Sequence, residues 1–278
     1  MLNKLLLSFL AMTVAVVKLT AQDSTHLKNQ IALEYGFHYL ADQDLIFSPF
    51  VLKDIAPMNI STSYVHKGKF IQMAEIYFDS FNPTYKNTFT YYTNPDSSAL
   101  ETIPNDFTFV KINYGFGKMI RATEKYDFIV GGMSENTVIA KYYYAGYFST
   151  FGYFASFSLS PWATYNYYFN KQNTLQFAIH FPIAAWVCRS PFLANDDQFI
   201  ENISSHKSVK TFFAYVNDGN LQTLNKLQQF DIEASYIYAI NKRFDTSISY
   251  HFNYIHNSTP LPYSSVQHSF NIQTSFKF

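Results

Sequence analysis

The chain has 278 residues, with 20 Lys+Arg against 20 Asp+Glu, 48% hydrophobic residues, 19% aromatic residues and one cysteine. Zero formal charge leaves no clustered basic surface for phosphate backbones, and the apolar content is ample for a packed structure, so nucleic-acid binding and disorder are both excluded. Cys188 alone supports neither an internal disulfide nor a cysteine-rich zinc site, and 14% charged residues fall well below the roughly 25% of an ordinary soluble domain.

Residues 1–21 read as a secretory signal peptide, leaving 22–278 as one domain. Met1 to Lys4 is a short basic start, Leu5 to Val17 is an apolar run broken only by Ser8 and Thr13, and Leu19-Thr20-Ala21 precedes a cut near Gln22. The run is far short of the roughly 20 residues a spanning helix needs, and Lys18 interrupts it. No cysteine comes directly after it to carry a lipid anchor. Farther on, the longest apolar run is Phe181 to Cys188, and Pro182 breaks it, so no membrane helix is expected.

The mature chain alternates with a period of two, the mark of strands. Strands are expected over 27–40, 57–66 and 69–79, then 106–118, where a change of face near Phe109 and Val110 suggests a bulge. The next are 126–134 and 153–169, the latter joined through Asn170 to Asn173 to a strand over 174–187. That strand sets Leu175, Phe177, Ile179, Phe181, Ile183, Ala185 and Val187 against Thr174, Gln176, His180 and Trp186. Three more form a meander. Phe230, Ile232, Ala234, Tyr236, Tyr238 and Ile240 oppose Gln229, Asp231, Glu233 and Ser235. Phe244 to Tyr254 comes after Asn241-Lys242-Arg243, and in the last strand Val266, His268, Phe270, Ile272, Thr274, Phe276 and Phe278 share one face. The total is ten strands, or twelve if Thr137 to Tyr147 forms extra strand within its loop rather than simply extending the neighbouring strands beyond the membrane.

Connections sort into two sets. Those at 66–69, 120–125, 170–173 and 241–243 are short, whereas 41–56, 80–105, 135–152, 188–226 and 257–264 are mostly long. An aromatic apolar face on nearly every strand, in a secreted chain without a membrane helix, is most economically placed against lipid. A closed barrel supplies this while leaving no unpaired strand edge in hydrocarbon. Tyr35, Phe37 and Tyr39 then form one aromatic girdle, and Tyr165, Tyr167, Phe169, Phe276 and Phe278 the other.

With an even strand count, short turns on one rim, long loops on the other and a terminal Ser275-Phe276-Lys277-Phe278, nearly the whole mature chain resembles the outer-membrane β-barrel proteins of Gram-negative bacteria. The resemblance implies an all-β, transmembrane antiparallel up-and-down barrel. It also implies short periplasmic turns, long extracellular loops and periplasmic termini. Phe276 and Phe278 become the signal read by the barrel-assembly machinery. The implied surroundings are outer-membrane lipid; a larger envelope protein is a candidate partner under the functional reading, and no cofactor or metal is expected.

Alternation sends Gln30, Glu34, His38, Glu75, Asp79, Lys111, Asn113, Gln176, His180, Asp231, Glu233, Asp245, His251, Asn253, Gln267, Asn271 and Gln273 to the lumen. Ten strands leave a narrow interior that such a network would largely fill. Two groupings stand out within it. His251 is expected beside Asp231 and Glu233, which is half of a hydrolytic site but more economically a satisfied luminal network. Glu75 and Lys111 are expected to form a structural salt bridge. Ten-stranded outer-membrane proteases use paired acids and an Asp-His couple near the rim. Here Asp196-Asp197 and His206 share the long 188–226 connection without the acid-X-His spacing. Outer-membrane phospholipases use a His-Ser pair on the lipid face, but His268 and Ser269 alternate to opposite faces.

The reading is a non-enzymatic accessory or interaction subunit of an envelope complex, acting through loops or lateral surface. Ser158, Ser160 and Thr164 around Pro161-Trp162 are its candidate lateral contact, and Cys188 is a small inert hydrophobe. The alternatives are a narrow pore for small polar solutes and a rim hydrolase, whether protease or lipase.

Overall fold

The computed structural model describes residues 27–278 apart from 88–89, 93, 95–98, 146–147 and 191–207. The signal peptide at 1–21 and the candidates Asp196, Asp197 and His206 lie outside the described residues. Alternating sequence yields long antiparallel strands, beginning with β1 (Asn29–Asp44), β2 (Leu52–Lys67) and β3 (Ile71–Phe81). A two-residue hairpin, β4 (Thr90–Tyr91) with β5 (Leu100–Glu101), sits in the connection after β3. The long strands resume with β6 (Asp106–Ala122), β7 (Tyr126–Ala145) and β8 (Phe148–Tyr168). They continue as β9 (Asn173–His180), β10 (Ala184–Arg189), β11 (Asn220–Thr223), β12 (Leu227–Ala239), β13 (Phe244–Asn257) and β14 (Tyr263–Lys277). Among the described residues one helix, α1 (Ser208–Asn217), precedes β11.

Ten staves close the barrel, because β9 with β10 forms one stave and β11 with β12 another. Neighbouring staves are adjacent in sequence and antiparallel, and the ring shuts where β1 pairs with β14 from Gln30↔Lys277 to Asp44↔Tyr263. β9 contributes to both β8 and β12, so no open edge remains along the turn-end half. Closure satisfies the backbone groups that hydrocarbon would leave stranded.

Outside, Ile31, Leu33, Tyr35 and Phe37 on β1, Ile112, Tyr114 and Phe116 on β6, and Phe270 and Ile272 on β14 are all exposed. Inside, the alternate residues are buried. An apolar exterior around a polar interior is the inverse of a water-soluble barrel, and lipid is the solvent that fits it. Spanning needs about 9–11 residues per strand. β7 and β8 have 20 and 21 residues, so their loop-end halves stand beyond the hydrocarbon.

Three expectations change. The 135–152 segment is not a loop: β7 and β8 keep one register from Tyr126↔Tyr167 to Ala145↔Phe148, so the barrel has ten staves and no added pair. The face does not change at Phe109 and Val110, where β6 and β7 hold register; the shift falls between Met119 and Arg121. Phe107 and Phe109 are buried inward while Ile112 faces out, so both faces are apolar there and the alternation blurs. Continuous alternation over 174–187 also fails. His180 is buried inward, then Phe181-Pro182-Ile183 interrupts the strand, and Ala185 and Val187 turn inward with Trp186 outward. Pro182 has no N–H to give to a ladder, which favours the interruption at this point, whereas β8 accommodates Pro161 without a break.

Candidate functional site

The lumen is where the fold gathers chemistry, and it is built in three tiers. The middle tier is the polar network. His38 Nε2 lies 2.9 Å from Asn271 Oδ1, and His38 Nδ1 lies 3.1 Å from Asp79 Oδ1. Asn271 also donates its amide to Glu34, linking the two, and it crosses β1 where Gly36 leaves room. His251 Nε2 meets Glu34 Oε1 at 3.2 Å and Ser249 Oγ at 3.1 Å. Across the barrel His180 is held between Glu135 (Nδ1, 3.1 Å) and Asp231 (Nε2, 3.6 Å), and Gln229 donates to Glu135.

The network candidates Glu34, Glu75, Lys111, His180, Asp231, Glu233 and His251 are therefore luminal, but their partners differ. Register sets Glu233 opposite His251 and Asp231 opposite Asn253, yet the His251 ring turns to Glu34, and Asp231 pairs with His180. An acid and a serine on the same imidazole nitrogen cannot act as a relay, which needs the acid on one nitrogen and the nucleophile on the other. The Glu75 and Lys111 bridge does not form: Glu75 faces Asn113 in register, and the long Lys111 side chain reaches Asp231 across the lumen at 3.8 Å. Glu75 instead accepts from Tyr77 Oη at 2.7 Å and from Asn113 at 3.3 Å. Glu135 escapes a reading by sequence because its segment resembles loop.

Toward the loop rim, the inward face turns apolar on every stave. Leu40 from β1, Leu52 from β2, Phe81 from β3, Phe107 and Phe109 from β6, and Ile139 and Tyr143 from β7 form one buried cluster. Phe154 from β8, Val187 from β10, Leu227 from β12, Ile255 from β13 and Tyr263 from β14 complete it with the small Ala56 and Ala185. Each such side chain contributes about 1.5–3 kcal/mol by leaving water. The cluster is a plug of protein-core character across the barrel. Two ion pairs are set in it. Lys141 Nζ meets both Asp42 oxygens at 2.8 and 2.9 Å and lies 3.9 Å from the Tyr263 ring centroid. Arg189 meets Asp44 at 2.6 Å. Such pairs are costly to break, at about 3–5 kcal/mol for loss of one partner.

Toward the turn rim the lumen widens into a cavity of about 300 Å³. One side is apolar, where Ile71, Ile129, Met133 and Trp162 pack together with Val65 and Met73. Gly117 makes room for the indole, since a Cβ there would lie 2.7 Å from Trp162 Cζ3. Glu75, Glu233, His180 and Asp231 face it, and Lys277, bonded to Asp245, stands at the mouth with Lys67.

Ser158, Ser160 and Thr164 do not offer a lateral contact, because they and Trp162 point inward and are buried. Ser158 donates to the Glu135 carbonyl at 3.0 Å. On the outer wall above the apolar belt, α1 covers β10: Trp186 Nε1 donates to the Val216 carbonyl at 2.8 Å, and Tyr215 stacks on Tyr153 at 4.3 Å. Cys188 is buried beneath this contact, and burial first, then the Asp218 charge, pushes its thiol up to about 11. No group of three or more metal-ligating side chains occurs among the described residues.

No family model matches the chain, and no curated protein matches it in sequence. Solved structures do match in fold. The outer membrane protease OmpT from Escherichia coli superposes with a TM-score of 0.54 at 6% identity, covering 94% of this chain and 99% of that one. Neisserial surface protein A gives 0.36 at 10% identity over 90% and 97%. The translocator domain of the autotransporter NalP from Neisseria meningitidis gives 0.40 at 7% identity over 99% and 98%. At such identities the likeness concerns architecture alone. The chain is a closed, antiparallel, ten-stranded β-barrel of the outer-membrane kind.

Proposed function

We propose that this barrel is a non-enzymatic interaction or accessory subunit of a Gram-negative envelope complex, acting through its loop rim and outer wall. The observation that carries the reading is the apolar plug, to which all ten staves contribute. A barrel blocked in this way offers no through-path for solute, so its outward-facing function falls to its surface. That surface has a candidate contact: α1, packed on β10, exposes Phe212 and Phe213, and Leu221 of β11 is exposed as well. In this reading the turn rim and both ends of the barrel chain face the periplasm, and the loop rim faces outside. Outer-membrane lipid surrounds the belt. Phe276 and Phe278, stacked at 5.9 Å at the end of β14, serve the assembly machinery.

The narrow-pore reading is weakened by the plug. A rim protease or lipase is weakened by the mid-lumen position of His251, Asp231 and Glu233, away from the loop rim, and by the shared nitrogen of His251. The test is a native pull-down from detergent-solubilised membranes through a tag in the 191–207 segment, compared with the Phe212→Ser/Phe213→Ser variant. A stoichiometric envelope partner lost in the variant is expected. A lone monomer in both samples would overturn the reading.

A further inference from the structure

The cavity at the turn rim is absorbed neither by the plug nor by any surface role. Its about 300 Å³ matches a small organic molecule, and it is blind, since the polar tier and then the plug close its inner end. Its two walls are chemically opposed. On one, Trp162, Met133 and Ile129 present a packed apolar surface. On the other stand Glu75 and Glu233, and neither has a basic partner within ion-pairing distance among the described residues: Glu75 is held by Tyr77 and Asn113, and Glu233 by Ser235. The cations nearby are already shared among several acids. Lys111 and His180 go to Asp231, and His251, which meets Glu34 at 3.2 Å, also stands opposite Glu233 in register. At the mouth Lys277 is tied to Asp245, whose second oxygen, Oδ1, is buried with no hydrogen-bond partner. Lys67 is exposed there and reaches neither glutamate.

Five carboxylates, Glu34, Glu75, Glu135, Asp231 and Glu233, stand against three basic side chains, Lys111, His180 and His251, in a low-dielectric lumen, and a ligand cation would relieve that excess. An ammonium donates up to three hydrogen bonds, which suits carboxylates already oriented by neighbouring hydroxyl and amide groups. The facing indole offers a surface for an apolar body, as ligand sites commonly combine an apolar lining with a few placed polar groups. We propose that this cavity binds a small organic monoamine, entering from the turn rim with its ammonium toward Glu75 and Glu233 and its apolar body against Trp162.

The test is calorimetric titration of the full barrel in nanodiscs, blanked against empty nanodiscs, with three probes of one carbon skeleton: phenethylamine, 2-phenylethanol and phenylpropionate. Saturable binding of phenethylamine at least 10-fold tighter than of the other two is expected. The isosteric Glu75→Gln/Glu233→Gln variant should lose that preference. No saturable heat with the amine, or equal affinity for amine, alcohol and acid, would overturn the proposal, as would an amine preference unchanged in the folded double variant. Should the double variant fail to fold, discrimination among the three probes by the wild-type barrel decides the matter alone.

Discussion

Gly36 shows how strongly single positions are set by the lumen. A Cβ added there would overlap the Phe270 carbonyl oxygen and Asn271 Oδ1, and the Asn271 side chain is the one that ties Glu34 to His38. Gly132, on the outward face, would meet nothing closer than the Ser160 carbonyl at 4.0 Å. Gly36→Ala should therefore destabilise the barrel by about 3 kcal/mol or more, as overpacking against backbone does, while Gly132→Ala should stay within about 0.5 kcal/mol. Urea unfolding in lipid vesicles, followed by the mobility shift of the folded barrel on unheated gels, measures both. At the level of single residues the sequence is a good guide to which side chains face inward and a poor guide to whom they meet. Alternation with a period of two settles the face of Glu34, Glu75, His180, Asp231 and His251. Partners such as Glu34 for His251 lie on strands more than 200 residues apart in the chain, and only closure of the ring brings them together.

Among the elements, β14 carries the lipid belt most plainly, with Phe270 and Ile272 exposed beside Ile248 of β13. Ile272→Lys should cost about 2–4 kcal/mol in assembly from vesicles, because a cation near the bilayer midplane has no partner. Leu45→Lys, exposed just beyond β1 on the loop rim, should cost about 0–1 kcal/mol. Equal costs would mean that the belt has been misplaced. The α1 contact makes a separate prediction. With its thiol pushed up to about 11 and covered by α1, Cys188 should react with maleimide at pH 7 about 100-fold more slowly than an unperturbed thiol, from thiolate fraction alone. A Cβ on Gly219 would overlap Trp186 Nε1 and sit 2.6 Å from Cys188 Sγ. Gly219→Val should thus lift α1 and speed labelling. The ten staves are legible in the sequence because their exteriors are apolar and their interiors polar through the membrane. Legibility fails where that contrast ends. In the loop-end halves of β6, β7 and β8 the interior is apolar too, so 135–152 resembles loop and Phe109 a bulge, although both belong to the plug.

For the whole molecule, a membrane barrel and a soluble core share one set of strands. The turn-end half is solvated outside by lipid and inside by a polar network and a small cavity. The loop-end half stands beyond the hydrocarbon and is packed like a globular interior, with Lys141 and Arg189 paired inside it. That division explains why strands of up to 21 residues are used where about 9–11 would span. On the proposed reading the barrel is also blind, closed on the loop side by the cluster drawn from every stave. Single-channel recording of the purified, refolded protein in planar bilayers, with insertion verified by protease protection, asks directly whether the plug holds. Silence is expected, with no resolved conductance steps across a range of voltage and salt. A steady ohmic conductance from the wild-type chain would contradict a blind barrel, because ions would then be crossing the layer formed by Phe81, Phe109, Phe154 and Tyr263.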